Sequence, residues 1–368
     1  MKKIEIKDCM HHLEMLGRTY ETENGLLYFN WTCSGIRFDF EGSILSIRLK
    51  AQPSAERDMD PSTGQFHDRL SHPWIAVFLD DLENPYQYFE LQKENHIYLL
   101  FQSETVEKHT ITIRKMTENQ KGRVGIVEFL TDGIISASKK CEKKLKLEFI
   151  GDSITCGYGN MINDGNSLYY SKDQNGWMSY AAIAARKLGA DFSLVSYSGI
   201  TATEGLNSSK YEIPPMEYFY PYCDRLQDKI EGFAETPRQW DFNSFQPDII
   251  ILNLGTNDAT VIELNEDIQA GIAKFEINYY RLLKMIREYN GKNPWIICSL
   301  GSMDYFLFDN IKKVVEKYSN ENQDNRISCF KFSKIRFTDG LGACRHPYVT
   351  TQIRMGEELV EYIRNLPY

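Results

Sequence analysis

The hydrophobic pattern of this chain changes period once, near residue 140, and no other feature restricts its possible folds as much. From about residue 25 to 130, short segments alternate apolar and polar at period two: "GLLYFNW" at Gly25–Trp31, "GIRFDFEG" at Gly35–Gly42, "SILSIRLKA" at Ser43–Ala51. "PWIAVFLDD", "YQYFEL", "HIYLLFQ", "HTITIRKM" and "GRVGIVEFLTDG" continue the pattern to Gly133. Many short strands without a helical period predict an antiparallel sandwich or jelly roll. The polar, turn-rich stretch Ala51–Pro73 reads as a long polar loop or a poorly ordered one. Beyond the lysine-rich Ser136–Lys146, nearly continuous apolar strands alternate with helices, as in "LEFIG", "GWMSYAAIAARKLGA", "DFSLVSYSG" and "PDIIILNLGTND". That grammar predicts a doubly wound parallel sheet covered on both faces. The expected division is an all-β sandwich over 1–135, a linker over 136–146 and an α/β domain over 147–368. The linker lysines Lys139, Lys140, Lys143, Lys144 and Lys146 read as a solvated linker rather than a binding patch.

Length and charge narrow the function classes. The 368 residues suit two domains, and 42 Lys plus Arg against 51 Asp plus Glu leave a net charge of −9. An acidic chain is poorly suited to phosphate backbones or anionic lipid, so neither nucleic acid nor membrane is expected as a partner. The N-terminal stretch places Glu5, Lys7 and Asp8 where a secretory leader needs an apolar run, which predicts a cytoplasmic location. Eight cysteines without a close pair read as free thiols of a reducing compartment. No HExxH, paired-cysteine spacing, P-loop lysine or complete dinucleotide fingerprint is present, so neither metal nor cofactor is expected. Nothing in the sequence sets the oligomeric state.

In an open α/β sheet, ligands bind beyond the carboxyl ends of the strands. The residues found there are Ser153 in "GDSIT", Gly199 in "SGI", Asn257 in "LGTND", and His346 in "CRHPY" before the last helix. Acyl transfer needs these groups. A serine hydroxyl requires a base near neutral pH, and imidazole has a suitable pKa. A tetrahedral oxyanion requires preorganised donors, and removing one costs about 3–4 kcal/mol. The Ser153 N–H, the Gly199 N–H and the Asn257 amide can supply three. Of seven histidines, only His346 follows Ser153, so a self-contained catalytic domain must use it. Taken singly, the GDS tripeptide is a common turn and Asn257–Asp258 a common helix cap. Asp152 and Asp258 read as turn and loop formers, Cys156 and Cys344 as packing residues.

The blocks "FIGDSIT", Gly199, "LGTND" and His346–Pro347 resemble those of the SGNH (GDSL-like) hydrolases. In the first half, "GRTY" at Gly17–Tyr20, "CSGIRFDFEGS" and "HTITIRKMTE" resemble carbohydrate esterase family two. That family joins an N-terminal jelly roll to an SGNH domain and removes acetyl groups from sugars. The resemblance implies a flavodoxin-like three-layer α/β/α catalytic domain. It also implies an acetyl esterase acting on acetylated, hemicellulose-derived oligosaccharides through a covalent acyl-enzyme. Ser153 becomes the nucleophile, His346 the base, and Ser153, Gly199 and Asn257 the oxyanion hole. The superfamily often carries Asp three residues before the histidine, where this chain has Ala343. Some members of family two lack that Asp and work as a Ser–His dyad, with the ring oriented by a backbone carbonyl. Asp339 is the alternative orienter.

The segment Ser208–Trp240 falls between the second and third parallel strands, near the expected cleft. Its Tyr211, Tyr218, Tyr220 and Tyr222, with Trp177 beyond the nucleophile, form a candidate platform for sugar rings, the alternative being that they pack the loop on the body or on the jelly roll. Tyr169 is a weaker candidate of the same kind. Two rival functions remain at this level. A carbohydrate-binding protein with a decayed site is suggested by Ala343; an esterase for lipids or thioesters would share the chemistry but lacks an apolar lid.

Overall fold

The computed structural model describes residues 1–60, 62–138, 145–203, 207–208, 211–264 and 266–367, with backbone alone at 207, 208, 211, 212 and 337. Lys139, Lys140, Lys143 and Lys144, and with them most of the expected linker, lie outside the described residues. Two long strands, Gly35–Gln52 and Asn95–Lys115, run side by side through the first domain, paired antiparallel from Gly35↔Arg114 to Lys50↔Asn95. The alternation pattern splits each into two strands. In the structure each is continuous, because register shifts at Leu99/Phe101 and Gln102/Glu107 absorb the extra residues as bulges that bend the pair. Gly42 permits a close approach in this region: a Cβ there would lie 2.8 Å from the Gly133 Cα. The strands Arg123–Thr131, Trp74–Leu79 and Gln87–Glu90 extend the antiparallel sheet. Their inward positions build a core of Phe38, Phe40, Ile47, Leu49, Ile111, Ile113 and Phe129.

The stretch Ala51–Pro73 is not a loop. Ser54–Met59 and Phe66–Ser71 form an antiparallel hairpin in register from Ser54↔Ser71 to Met59↔Phe66. Most of the hairpin is solvated, so it shows no apolar alternation. It is docked by polar contacts instead: the buried Glu56 carboxylate accepts the Ser171 N–H at 2.6 Å, and the Tyr170 hydroxyl donates to Asp58 at 2.7 Å.

The second domain is a parallel sheet of five strands, in the order Asp191–Ser196, Lys146–Gly151, Ile249–Asn253, Trp295–Leu300, Ile327–Lys331. Alternate residues face opposite layers, and both sides are apolar. Phe149, Ile251 and Ile297 pack under the helices Tyr180–Lys187 and Val349–Arg364. Ile150, Leu252 and Cys298 pack under Ile268–Asn290 and Phe308–Asn322. This double burial explains the unbroken apolar runs. The chain leaves the Lys146–Gly151 strand toward one edge and returns on its other side. The crevice of this order reversal therefore opens at the carboxyl end of that strand. No helix among the described residues is long and apolar enough to cross a membrane.

Arg18, from the GRTY segment, fastens the domains together. It is fully buried, pairs with Glu148 on the first parallel strand at 3.2 Å, and donates to the carbonyls of Tyr220 and, at 2.9 Å, Tyr222. Glu148 also accepts the Tyr220 hydroxyl at 2.7 Å. Trp31 donates its indole N–H to the Cys223 carbonyl at 2.7 Å, and Asn30 donates to Asp224 at 2.7 Å. The 208–240 segment is thereby bound to the antiparallel domain, and its two short helices, Met216–Phe219 and Arg225–Glu231, lie against that contact. Replacing Arg18 strands a buried carboxylate. Arg18→Ala is expected to destabilise the fold by about 3–5 kcal/mol, read as a lowered midpoint in chemical denaturation. A midpoint unchanged from wild type would contradict this role.

Candidate active site

Ser153 stands directly beyond the first parallel strand, as the first residue of the short helix Ser153–Cys156. Asp152 caps that helix by accepting the Ile154 N–H at 2.9 Å. Burial, with a smaller contribution from Asp258, raises the Asp152 carboxyl to about 7. The positive φ of Gly157, 71°, ends the helix and turns the chain into the "GYGN" segment.

That segment templates the histidine loop. The Ala343, Cys344 and Arg345 N–H groups donate to the carbonyls of Gly159, Ser167 and Gly165 at 3.0, 3.0 and 3.1 Å. Cys344 and Arg345 both hold left-handed backbone, φ 52° and 62°, a conformation that non-glycine residues keep only where surrounding structure enforces it. His346 follows at once. Its Nε2 lies 2.9 Å from Ser153 Oγ and its Nδ1 lies 3.1 Å from the Ala343 carbonyl. The carbonyl can only accept, so Nδ1 carries the proton and Nε2 faces the serine as an acceptor. Tyr158 covers the ring, centroids 4.5 Å apart, and is itself stacked on Tyr169 at 4.1 Å. Burial pushes the His346 pKa down to about 4, against an opposing effect of its backbone hydrogen bonds.

Gly199 and Asn257 reach the same cleft, of about 270 Å³, lined by Gln120, Lys121, Ser153, Tyr158, Ser198, Gly199, Asn257 and His346. Gly199 has φ 80°, and a Cβ there would lie 2.7 Å from Ile213 Cδ1, so no larger residue fits without displacement. Asn257 donates one amide N–H to the Ile200 carbonyl at 2.9 Å, which fixes the orientation of the group while its second N–H can serve a ligand. Asp258, next to Asn257, accepts the Ala202 and Thr203 N–H groups, both at 3.0 Å, and so ties this helix to the chain that follows Gly199. Two other clefts, of about 350 and 380 Å³, lie beside the Ile327–Lys331 strand and at the amino ends of the parallel strands. Neither is lined by serine and histidine together.

Several expectations need correction. Asp339 does not orient His346: its carboxylate accepts from Arg354 at 2.6 Å, the Arg336 N–H at 3.1 Å and Thr351 at 3.3 Å. A strong ion pair holds it elsewhere. Trp177 is buried between Phe78 and Phe192, with Arg114 and Arg186 over its ring, and is a core residue. Tyr220 is buried in the domain contact. Tyr218 and Tyr222 lie under the Arg225 guanidinium and do not line the cleft. The Tyr211 side chain lies outside the described residues. Cys156 is buried, as a packing residue should be, whereas Cys344 is exposed. Sequence reasoning missed Tyr158, Ser198, Gln120 and Lys121. Tyr158 and Ser198 adjoin recognised motifs, while Gln120 and Lys121 come from the other domain and carry no local signal.

The fixed backbone also explains Ala343. Its side chain is fully buried against Gly159, where an added Cβ would come within 2.5 Å of the Ala343 Cβ. A longer side chain at 343 would therefore enter packed space beside Gly159. Ala343→Asp is expected to lower the thermal midpoint and leave kcat/KM on a small acetyl ester at or below that of wild type. A gain in kcat/KM would show that the carbonyl is a poor substitute for an acid.

With this geometry established, comparison with known proteins adds the lineage. Residues 149–339 match the model of the GDSL-like Lipase/Acylhydrolase family, and residues 15–137 match that of the Carbohydrate esterase 2 N-terminal domain. The chain is 28% identical over 344 residues to the cellulase/esterase CelE of Acetivibrio thermocellus, covering 91% of this chain and 37% of that protein. It is 25% identical over 214 residues to an acetylxylan esterase / glucomannan deacetylase of Cellvibrio japonicus, covering 56% of this chain and 57% of that protein. The chain thus spans less than two thirds of the length of these curated relatives. A family two carbohydrate esterase from Clostridium thermocellum, solved in complex with cellohexaose, superposes with a TM-score of 0.79 at 26% identity, covering 96% of this chain and 98% of that one. The fold, the placement of Ser153 and His346 and these matches agree: the chain belongs to the GDSL-like lipase/acylhydrolase family and carries the N-terminal domain of carbohydrate esterase family two.

Proposed function

We propose that the protein is a serine esterase that removes acetyl groups from acetylated oligosaccharides, using a Ser153–His346 dyad. The observation that carries this reading is the 2.9 Å contact between His346 Nε2 and Ser153 Oγ in a cleft also lined by Gly199 and Asn257. His346 takes the hydroxyl proton as Ser153 Oγ attacks the acetyl carbonyl, and the imidazolium keeps its Nδ1–H on the Ala343 carbonyl. The oxyanion is received by the Ser153 and Gly199 N–H groups and the Asn257 amide. Collapse expels the sugar oxygen, which takes the proton from His346 and leaves acetyl-Ser153. Water, deprotonated by the same ring, then releases acetate.

The lining favours a sugar over a lipid. Gln120, Lys121 and Asn257 offer polar groups to hydroxyls, and Tyr158 offers an aromatic edge. The names of the relatives, among them acetylxylan esterase and glucomannan deacetylase, support a carbohydrate acetyl ester. The seven described cysteines are free thiols, which supports action in a reducing, cytoplasmic setting.

Acetate release from acetylated xylo- and manno-oligosaccharides, beside an aryl acetate and a long-chain ester, tests the assignment. Turnover on the acetyl sugars is expected, with a loss of about 10³-fold or more in Ser153→Ala. Sugar binding without Ser153-dependent acetate release would make the protein a binding module. Preference for the long-chain ester would make it a lipase.

The pH dependence has a defined sign. A His346 pKa held low by burial leaves the ring neutral, and able to act as base, until the pH falls through about 4. The acid limb of kcat/KM is therefore expected well below the value of about 6.5 for free imidazole. An acid limb at 6.5 or above would contradict a histidine whose pKa is lowered by its surroundings.

A further inference from the structure

The loop Thr117–Lys121 belongs to the antiparallel domain, yet it ends inside the catalytic cleft. Glu118 is fully buried there. One of its carboxylate oxygens accepts the Ser198 N–H at 2.8 Å, and the other accepts the Ser198 hydroxyl at 2.7 Å. Gln120 completes the grip: its Nε2 donates to the Ser198 carbonyl at 2.9 Å and to Glu118 at 3.1 Å. Beneath them, buried Lys115 donates to the Glu118 carbonyl at 2.6 Å and the Asn30 carbonyl at 2.9 Å, fixing the loop from below.

Ser198 is the residue before Gly199. The Ser198 carbonyl and the Gly199 N–H belong to one planar peptide unit and point to opposite sides of it. A donor on that carbonyl sets the direction of the N–H and polarises it toward an incoming oxyanion. Gly199 has left-handed backbone and no side chain, so its own residue supplies little to fix that plane. We propose that Gln120 and Glu118 are positioning residues for the oxyanion hole, which makes the antiparallel domain a working part of the active site. The proposal rests on the esterase reading above. It assigns to the first domain a role in rate, beyond structural support or sugar contact.

The test uses the full chain and an aryl acetate, which lacks a sugar. Gln120 lies at the cleft surface, so Gln120→Leu can be made with little threat to folding. Small misplacements of catalytic groups cost up to about 100-fold, so kcat is expected to fall about 10-fold or more, with KM within about 2-fold of wild type and an unchanged thermal midpoint. Phosphorylation of Ser153 by an aryl dialkyl phosphate, which also builds negative charge on oxygen, should slow by a similar factor. Glu118→Gln, which sets an amide group against the Ser198 donors, should act in the same direction. Wild-type kcat in Gln120→Leu, with Ser153→Ala inactive, would overturn the positioning role and leave the esterase intact. A change confined to KM, or a loss that tracks a lowered midpoint, would overturn it as well. Absence of ester turnover in the wild type would overturn both readings.

Discussion

The site depends on a backbone carbonyl. With alanine at position 343, the His346 ring has the Ala343 C=O as the partner of Nδ1, and the whole of the surrounding loop fixes that oxygen. Three successive N–H groups, from Ala343 to Arg345, are bound to carbonyls of the segment that follows Ser153. The histidine is thus held by the same stretch of chain that carries the serine. A carbonyl dipole stabilises an imidazolium less than a carboxylate does, but it fixes the tautomer as well. Two consecutive non-glycine residues in left-handed conformation are part of the cost of that geometry.

The second constraint is the meeting of the two domains. Arg18 enters the α/β domain as a buried cation and finds Glu148, the Tyr220 carbonyl and the Tyr222 carbonyl. Glu118 enters as a buried anion and finds the backbone beside Gly199. The first contact holds the domains together, and the second passes that fixed relation on to the loop that carries Gly199. Buried polar groups of this kind are costly when left unpaired, so these contacts disfavour other dockings of the two domains, although the Arg18 Nε itself has no hydrogen-bond partner.

These features differ in how far they can be read from sequence. Ser153, Gly199, Asn257 and His346 are legible because a doubly wound sheet gathers its strand-end loops, and each residue directly follows an apolar run or precedes a helix. The parallel sheet is legible for the same reason, since strands buried on both faces leave unbroken apolar runs. The hairpin Ser54–Ser71 is not, because a solvated ribbon needs no apolar face. Nor are the bends of the two long strands, since bulges and turns share the same residues. Trp177 and Tyr220 illustrate a different limit. Aromatic content in a loop is visible, but whether a ring faces a cleft or a core is decided by tertiary packing. Asp339 was drawn to Arg354 by charge, and nothing near it in sequence shows that pairing. Gln120 and Glu118 are the least legible, because their partner lies in the other domain.

The proposed mechanism requires Ser153, activated by His346, to carry the acyl group during turnover. Rapid acid quench of the protein with excess aryl acetate, followed by peptide mass spectrometry, tests it most directly. An acetyl group is expected on the Ser153 peptide that builds up and decays with turnover and is absent from His346→Ala. Turnover with acetylation at another residue, or with none at any point of the time course, would contradict it.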